Sequence, residues 1–172
     1  MSCCTTLTAI PKTCDNNLGG IKTFYIGSLC DITGTTISAG TITSISLAGG
    51  TSLVEYGFNK NTANYVEEAT ISLENGSTFY TVTTSLVIPR REVAKRNSLA
   101  LIAAGQPDLF IIMEDQNGLF WAQGLENGAN LTAQGEGSGT AKADGSKYSL
   151  TFVSEEPEMM YEVDPAIIAG LI

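Results

Sequence analysis

Residues 67–88 read EEATISLE, then Asn75-Gly76, then STFYTVTTSLVI. An Asn-Gly pair accepts the positive φ angles of a tight two-residue turn, so the two flanking runs are expected to form a β-hairpin. In the second run, alternation puts Tyr80, Val82, Leu86 and Ile88 on one face and Thr81, Thr83 and Ser85 on the other, the pattern of a half-buried antiparallel strand. The same logic extends outward to three further pairs. Gly49-Gly50 separates TITSISLA from TSLVEYGF, Asn117-Gly118 separates LFIIMEDQ from LFWAQG, and Asp144-Gly145 separates GTAKA from SKYSLTFV. Each flanking run reads as a strand, and after Asp144-Gly145 the apolar face is Tyr148, Leu150 and Phe152.

One stretch breaks the period-2 pattern. Residues 89–105, PRREVAKRNSLALIAAG, open on Pro and close on Gly, as a helix does. Val93, Asn97, Ala100, Leu101 and Ala104 share a stripe that is expected to pack across the sheet. The fold class that follows is mainly β: an antiparallel β-sandwich or barrel with one flanking α-helix and extended loop or hairpin arms. With 172 residues, 43% of them apolar, the chain is expected to be one domain around a single core. Residues 1–20 read as an N-terminal arm, 53–68 as an extended loop or arm, and 165–172 as a C-terminal tail. Tyr56, Phe58 and Tyr65 lie in the second of these. They either fold back on their own core or pack on a neighbouring copy, as aromatic interface anchors do.

Charge and composition narrow the function classes. Eighteen acids against nine bases give a net charge of −9, the wrong sign for gripping a polyanionic backbone. The chain has no His, which excludes Ser-His-Asp and Cys-His catalysis and removes the commonest nitrogen ligand for metals. Cys3, Cys4, Cys14 and Cys30 lack the paired spacing of a zinc site and read as reduced thiols, some of them buried. The glycines of GEGSGTAKADGSK are not followed by the GK[ST] ending and helix of a phosphate loop. MEDQNG lacks the spacing of a calcium loop. Glu114 with Asp115, and Glu155 with Glu156, are adjacent on strands and point to opposite faces, so neither pair converges. No catalytic residue, metal or cofactor is expected, and the protein is not expected to be an enzyme. The N-terminus carries no secretory pattern and no run is long enough to span a bilayer, so synthesis in the cytoplasm is expected.

The charges are segregated along the sequence. Arg90, Arg91, Lys95 and Arg96 crowd the first two turns of the expected helix, where cations oppose its dipole. Either both clusters are solvated faces or the bases have acidic partners, for which Glu155, Glu156, Glu158, Glu162 and Asp164 are the candidates. Carried by copies of one chain, a basic and an acidic patch permit head-to-tail contact, which closes into rings or continues as a stack.

The order of elements resembles the tail tube proteins of tailed bacteriophages: an N-terminal segment, the strand IKTFYIG, paired strands with a long polar excursion, one central helix and two more hairpins. The resemblance covers roughly residues 14 to 164. It is carried by CDNNLGGIKTFYI and by DLFIIMEDQNGLFWAQGLENGANLTAQGEGSGTAKADGSKYSLTFVSEEPEMMYEV, which look like tail proteins of phages with Bacteroidetes-type hosts. The family implies a small β-barrel or sandwich flanked by a helix, assembled into hexameric rings that stack into a tube in the virion tail. Other copies of the chain and other tail proteins are then the partners, and DNA passes through the lumen as cargo. An acidic protein suits that bore, since each base meeting a phosphate would create a sticking point. The alternatives are another virion subunit, such as a capsid decoration or tail terminator protein, and a monomeric β-sandwich binding module.

Overall fold

The computed structural model describes residues 7–172. Among the described residues eleven strands form: β1 (Ile21–Ser28), β2 (Ile32–Ser38), β3 (Thr41–Leu47), β4 (Val54–Glu55), β5 (Asn64–Ser72), β6 (Ser77–Pro89), β7 (Leu109–Asp115), β8 (Phe120–Gln123), β9 (Ala129–Gly137), β10 (Lys147–Glu156) and β11 (Tyr161–Val163). Helix α1 (Val93–Gly105) joins β6 to β7, and a short α2 (Pro165–Ile168) follows β11. The mainly β class expected from the turn chemistry is the class observed.

The strands run in the order β2-β3-β11-β8-β7-β9-β10-β6-β5, with β1 on the other side of β7 and β4 beyond β1. Between β7 and β9 the pairing is only Leu109 against Ala129, so the sheet folds over at that point into two facing halves. One half is β2-β3-β11-β8-β7-β1-β4 and the other is β9-β10-β6-β5. Phe24, Ile111 and Met113 from the first meet Leu86, Leu150 and Phe152 from the second in the main core. The Phe24 and Phe152 rings lie 5.7 Å apart across it. Each side chain buried so completely stabilises the fold by about 1.5–3 kcal/mol before entropy is counted.

Strand β7 explains its own sequence. LFIIMED is buried at every position because both faces are covered, the arrangement that yields continuous apolar runs. Leu109, Ile111 and Met113 face the main core. Phe110 and Ile112 face a second cluster with Ile42, Leu53, Ala122, Val163, Ile168 and Leu171. The C-terminal tail at 165–172 is therefore a lid on this second cluster, and the Leu53 N–H donates to the Leu171 carbonyl at 2.7 Å.

Several expectations are corrected. Asn75-Gly76 and Asn117-Gly118 close the hairpins β5–β6 and β7–β8, but Gly49-Gly50 does not close one, because β4 pairs with β1 rather than with β3. Asp144-Gly145 lies within a loop between β9 and β10, and GTAKA is not a strand. One pairing, β11 with β3, is parallel. Pro89 ends β6 and α1 starts only at Val93. The helix also presents the opposite stripe to the one expected: Leu99 is buried and Ile102 packs on the core, while Val93 and Leu101 are each 75% exposed.

Residues 53–68 are not an extended arm. Leu53 and Ala63 are buried, β4 pairs with β1, and β5 begins at Asn64. The structure that does project is the far end of the β5–β6 hairpin, where residues 73–79 are all exposed. At the N-terminus, residues 7–19 are exposed and form no helix or strand; residues 1–6 of the expected arm lie outside the described residues.

Candidate assembly interface

The antiparallel register of β6 and β10 sorts the charges in space. Lys147 faces Pro89 at one end of the pair and Glu156 faces Tyr80 at the other, about 30 Å away at roughly 3.3 Å per residue. Arg90, Arg91 and Lys95 gather at the first end with Lys147. Glu155, Glu156 and Glu158 lie at or just beyond the second. The two clusters therefore do not meet within one molecule.

The bases find local partners instead. Arg90 Nε lies 3.2 Å from Glu92, and Arg91 Nη2 lies 3.0 Å from Glu136. The Arg91 guanidinium also sits 5.7 Å above the Tyr148 ring. Lys95 Nζ donates to the Pro89 carbonyl at 2.7 Å and lies 3.4 Å from Glu92. Arg96 donates to Asn97 Oδ1 at 3.0 Å and makes no ion pair among the described residues. Glu92 and Glu136 are the partners that sequence spacing missed. Glu92 was visible as a near neighbour, but Glu136 is brought close only by the pairing of β9 with β10.

The five candidate acids do different work. Glu156 is buried and accepts from the N–H groups of Glu126 at 3.2 Å and Asn127 at 3.3 Å. Burial pushes its pKa up, and the two N–H donors pull the other way without cancelling it. Asp164 caps α2, its Oδ1 accepting from the Ala166 N–H at 2.9 Å. Glu158 accepts from the Tyr161 hydroxyl, and Glu162 is half-buried on β11 opposite Trp121. Glu155 is exposed. Glu68, exposed on β5 opposite Thr81, adds a carboxylate that the sequence pattern did not single out. The adjacent pair Glu114 and Asp115 is also occupied. Glu114 holds Lys22 Nζ at 2.5 Å and Thr23 Oγ1 at 2.9 Å, while Asp115 accepts from the N–H groups of Asn117 and Leu119 across the β7–β8 turn.

The aromatic candidates fold inward. Tyr56, Phe58 and Tyr65 all pack on the main core, and desolvation raises the pKa of both tyrosine hydroxyls. The Tyr56 N–H donates to the Phe24 carbonyl at 2.9 Å, which holds this segment to β1. None of the three is displayed for a neighbour. Two apolar side chains are displayed at the end of the β5–β6 hairpin: Ile71 is 63% and Leu73 is 94% exposed.

The half-sheet β9-β10-β6-β5 has a distinctive outer face. Register and alternation place Glu68, Thr81, Thr83, Ser85, Ser149, Thr151 and Glu155 on it, with Val66, Val87 and Val153 between them. Lys147, at the end of β10, is the base among the strand positions on this face. Both edges of the half-sheet are open. Among the described residues, β5 pairs only with β6, and β9 beyond Ala129 pairs only with β10. A groove of about 600 Å3 beside the β9 edge is lined by Phe79, Asn127, Asn130, Thr132 and Glu155.

Cys14 and Cys30 are free and exposed rather than buried, and Cys3 and Cys4 lie outside the described residues. Among the described residues no group of three or more His, Cys, Asp or Glu side chains is placed to hold a metal ion, and no helix is long and apolar enough to cross a membrane. Comparison with protein-family models, curated proteins and solved structures finds no match to this chain.

Proposed function

We propose that this protein is a self-assembling structural subunit of a phage tail tube, copies of which join into hexameric rings that stack around a bore for DNA. The observation that carries the proposal is the half-sheet β9-β10-β6-β5, with two open edges and a Ser, Thr and Glu face almost free of bases. An open strand edge is a template for pairing with another chain. Joining the β5 edge of one copy to the β9 edge of the next removes both edges when the ring closes. The outer face of each half-sheet then lines a continuous wall.

Such a wall fits its cargo. Hydroxyl side chains keep it wet, Glu68 and Glu155 make it anionic, and a polyphosphate passing along it finds few cations at which to release counterions. The separation of charge along β6 and β10 supports the second level of assembly, because a basic end of one ring facing the acidic end of the next gives a head-to-tail contact. Other tail proteins are partners in this reading, the virion tail is its location, and no catalytic step is involved.

Electron microscopy and sedimentation velocity of the purified protein test it directly. Six-membered rings or long hollow cylinders are the expected particles. A species that stays monomeric at high concentration, and is absent from the tail of the virion, would overturn the proposal.

A further inference from the structure

The two open edges of the half-sheet β9-β10-β6-β5 are displaced from each other along the strands. Traced through the register, the open part of β9 runs from Asn130, level with Thr83 of β6, to Gly137, level with Pro89. Strand β5 runs from Asn64, level with Ser85, to Ser72, level with Ser77. Joined without displacement, the β9 edge of one copy and the β5 edge of the next would overlap only between the levels of Thr83 and Ser85.

The backbone adds a second constraint. The Arg90 N–H donates to the Ser146 carbonyl at 2.7 Å, which continues the β6–β10 ladder. Opposed residues of an antiparallel pair alternate between bonded and unbonded, so even-numbered residues of β6 turn their N–H and C=O groups to β10 and odd-numbered ones to β5. Carried across the half-sheet, this alternation turns Tyr65, Glu67 and Ala69 of β5, and Gln134 and Glu136 of β9, to the open edges. The four strands alternate in direction, so β9 and β5 run oppositely, and copies related by rotation about a tube axis bring them together as an antiparallel pair.

We infer that neighbouring copies join β9 to β5 with a displacement of four residues along the strands, which sets Glu136 opposite Tyr65, Gln134 opposite Glu67 and Ala133 opposite Glu68. This deepens the tail-tube proposal and rests on it. Displacements of four and of six both cover the open length of β9, whereas five would reverse the faces. At six, Glu136 would stand opposite Glu67, and like charges directly opposed destabilise a sheet. At four, the amide of Gln134 faces the Glu67 carboxylate instead, and the free N–H and C=O groups of both residues point into the seam. Four residues rise about 13 Å for every four strands, which span about 19 Å, a tilt of about 35°. Closed barrels have strands tilted by about 35–45°, so the displacement is one that closure requires. A strand from an unrelated protein would cover one edge and leave the other open; a second copy of this chain covers both.

Disulfide trapping tests the register. In a background with Cys3, Cys4, Cys14 and Cys30 changed to Ser, Ala133→Cys is combined in turn with Val66→Cys, Glu68→Cys or Thr70→Cys, which match displacements of two, four and six residues. Opposed at an unbonded pair, positions 133 and 68 have Cα atoms about 4.5 Å apart, within reach of a disulfide. A slip of two residues separates them by about 8 Å, beyond that reach. Mild oxidation and separation without reductant should give a ladder extending to the full ring with Glu68→Cys and none with the other two. Cross-linking strongest through Val66→Cys or Thr70→Cys, or rings of normal morphology that none of the three pairs cross-links, would overturn the register while leaving the tail-tube proposal standing. Failure of the unsubstituted protein to assemble at all would remove both.

Ala133 lies beside the bulge in β9, so a second pair guards against misfolding of its variant, as read by circular dichroism. Gly135→Cys with Val66→Cys reports the same four-residue displacement. A ladder from this pair is expected, and its absence from assembled rings would overturn the register equally.

Discussion

Gly124 stands where the sheet folds over. Its φ is +77°, and a Cβ added there would lie 2.5 Å from the Leu109 carbonyl oxygen and 2.6 Å from the Ala129 nitrogen. Those two residues form the only pair that links β7 to β9. Gly124→Ala therefore costs in two ways. Holding an L-residue at left-handed φ costs about 1–2 kcal/mol. Forcing backbone apart in a close-packed site adds about 1–3 kcal/mol, for a total of about 2–5 kcal/mol.

Gly118 supplies the control: its φ is +85° and nothing lies within 4 Å of its added Cβ. Gly118→Ala should pay only the conformational part, about 1–2 kcal/mol. Urea denaturation of the two variants, followed by circular dichroism, measures the difference. A Gly124→Ala variant no less stable than Gly118→Ala would show that the β7–β9 junction is not the rigid point described here.

Other perturbations probe separate parts of the molecule. Gln123 is fully buried, accepts from the Thr84 hydroxyl at 2.7 Å and donates to the Val82 carbonyl at 3.0 Å. Gln123→Leu strands both groups and should cost about 2–4 kcal/mol in the same denaturation assay; a loss below about 0.5 kcal/mol would refute that accounting. Because burial raises the folded-state pKa of Glu156 above its unfolded value, its contribution to stability is present below the unfolded pKa and lost as pH rises through the folded one. Glu156→Gln keeps an acceptor without the charge, so its melting temperature should gain on that of the parent as pH rises above the ordinary carboxylate value of 4.5, and a gain that runs the opposite way would sink this reading of Glu156. Reversing Arg90, Arg91 and Arg96 to Glu disturbs mainly exposed pairs, which contribute little to folding. The far-UV spectrum should be unchanged and polymer yield should fall, whereas full polymer yield would count against the basic end as a stacking contact.

The hairpins with Asn-Gly turns were legible because that dipeptide carries its backbone geometry openly. The β2–β3 turn was not, since Ala39 adopts φ 52° beside Gly40 at 85°, and Ala gives no sign of a left-handed conformation. Helix α1 was legible as an element but not in its orientation. Apolar residues occur on most of its faces, so packing between the two half-sheets, rather than periodicity, selects Leu99 and Ile102. LFIIMED was legible as a strand but not as one covered on both faces, since nothing local shows that the cover on its second face comes from Ile168 and Leu171, more than fifty positions away. The charge clusters were visible as blocks, but only strand register reveals that they occupy opposite ends of the molecule. That register rules out contact between the two blocks within one molecule.

Strand β6 has a further consequence as a ruler. Its thirteen residues set the distance from the basic end of the β6–β10 pair to the projecting hairpin at about 40 Å. Lengthening β5 and β6 by two residues each preserves which side chains face inward and extends the hairpin by about 7 Å. Adding one residue to each inverts both faces and should abolish folding before it alters any spacing. The reach of the hairpin is thus quantised, adjustable only in steps of two residues per strand.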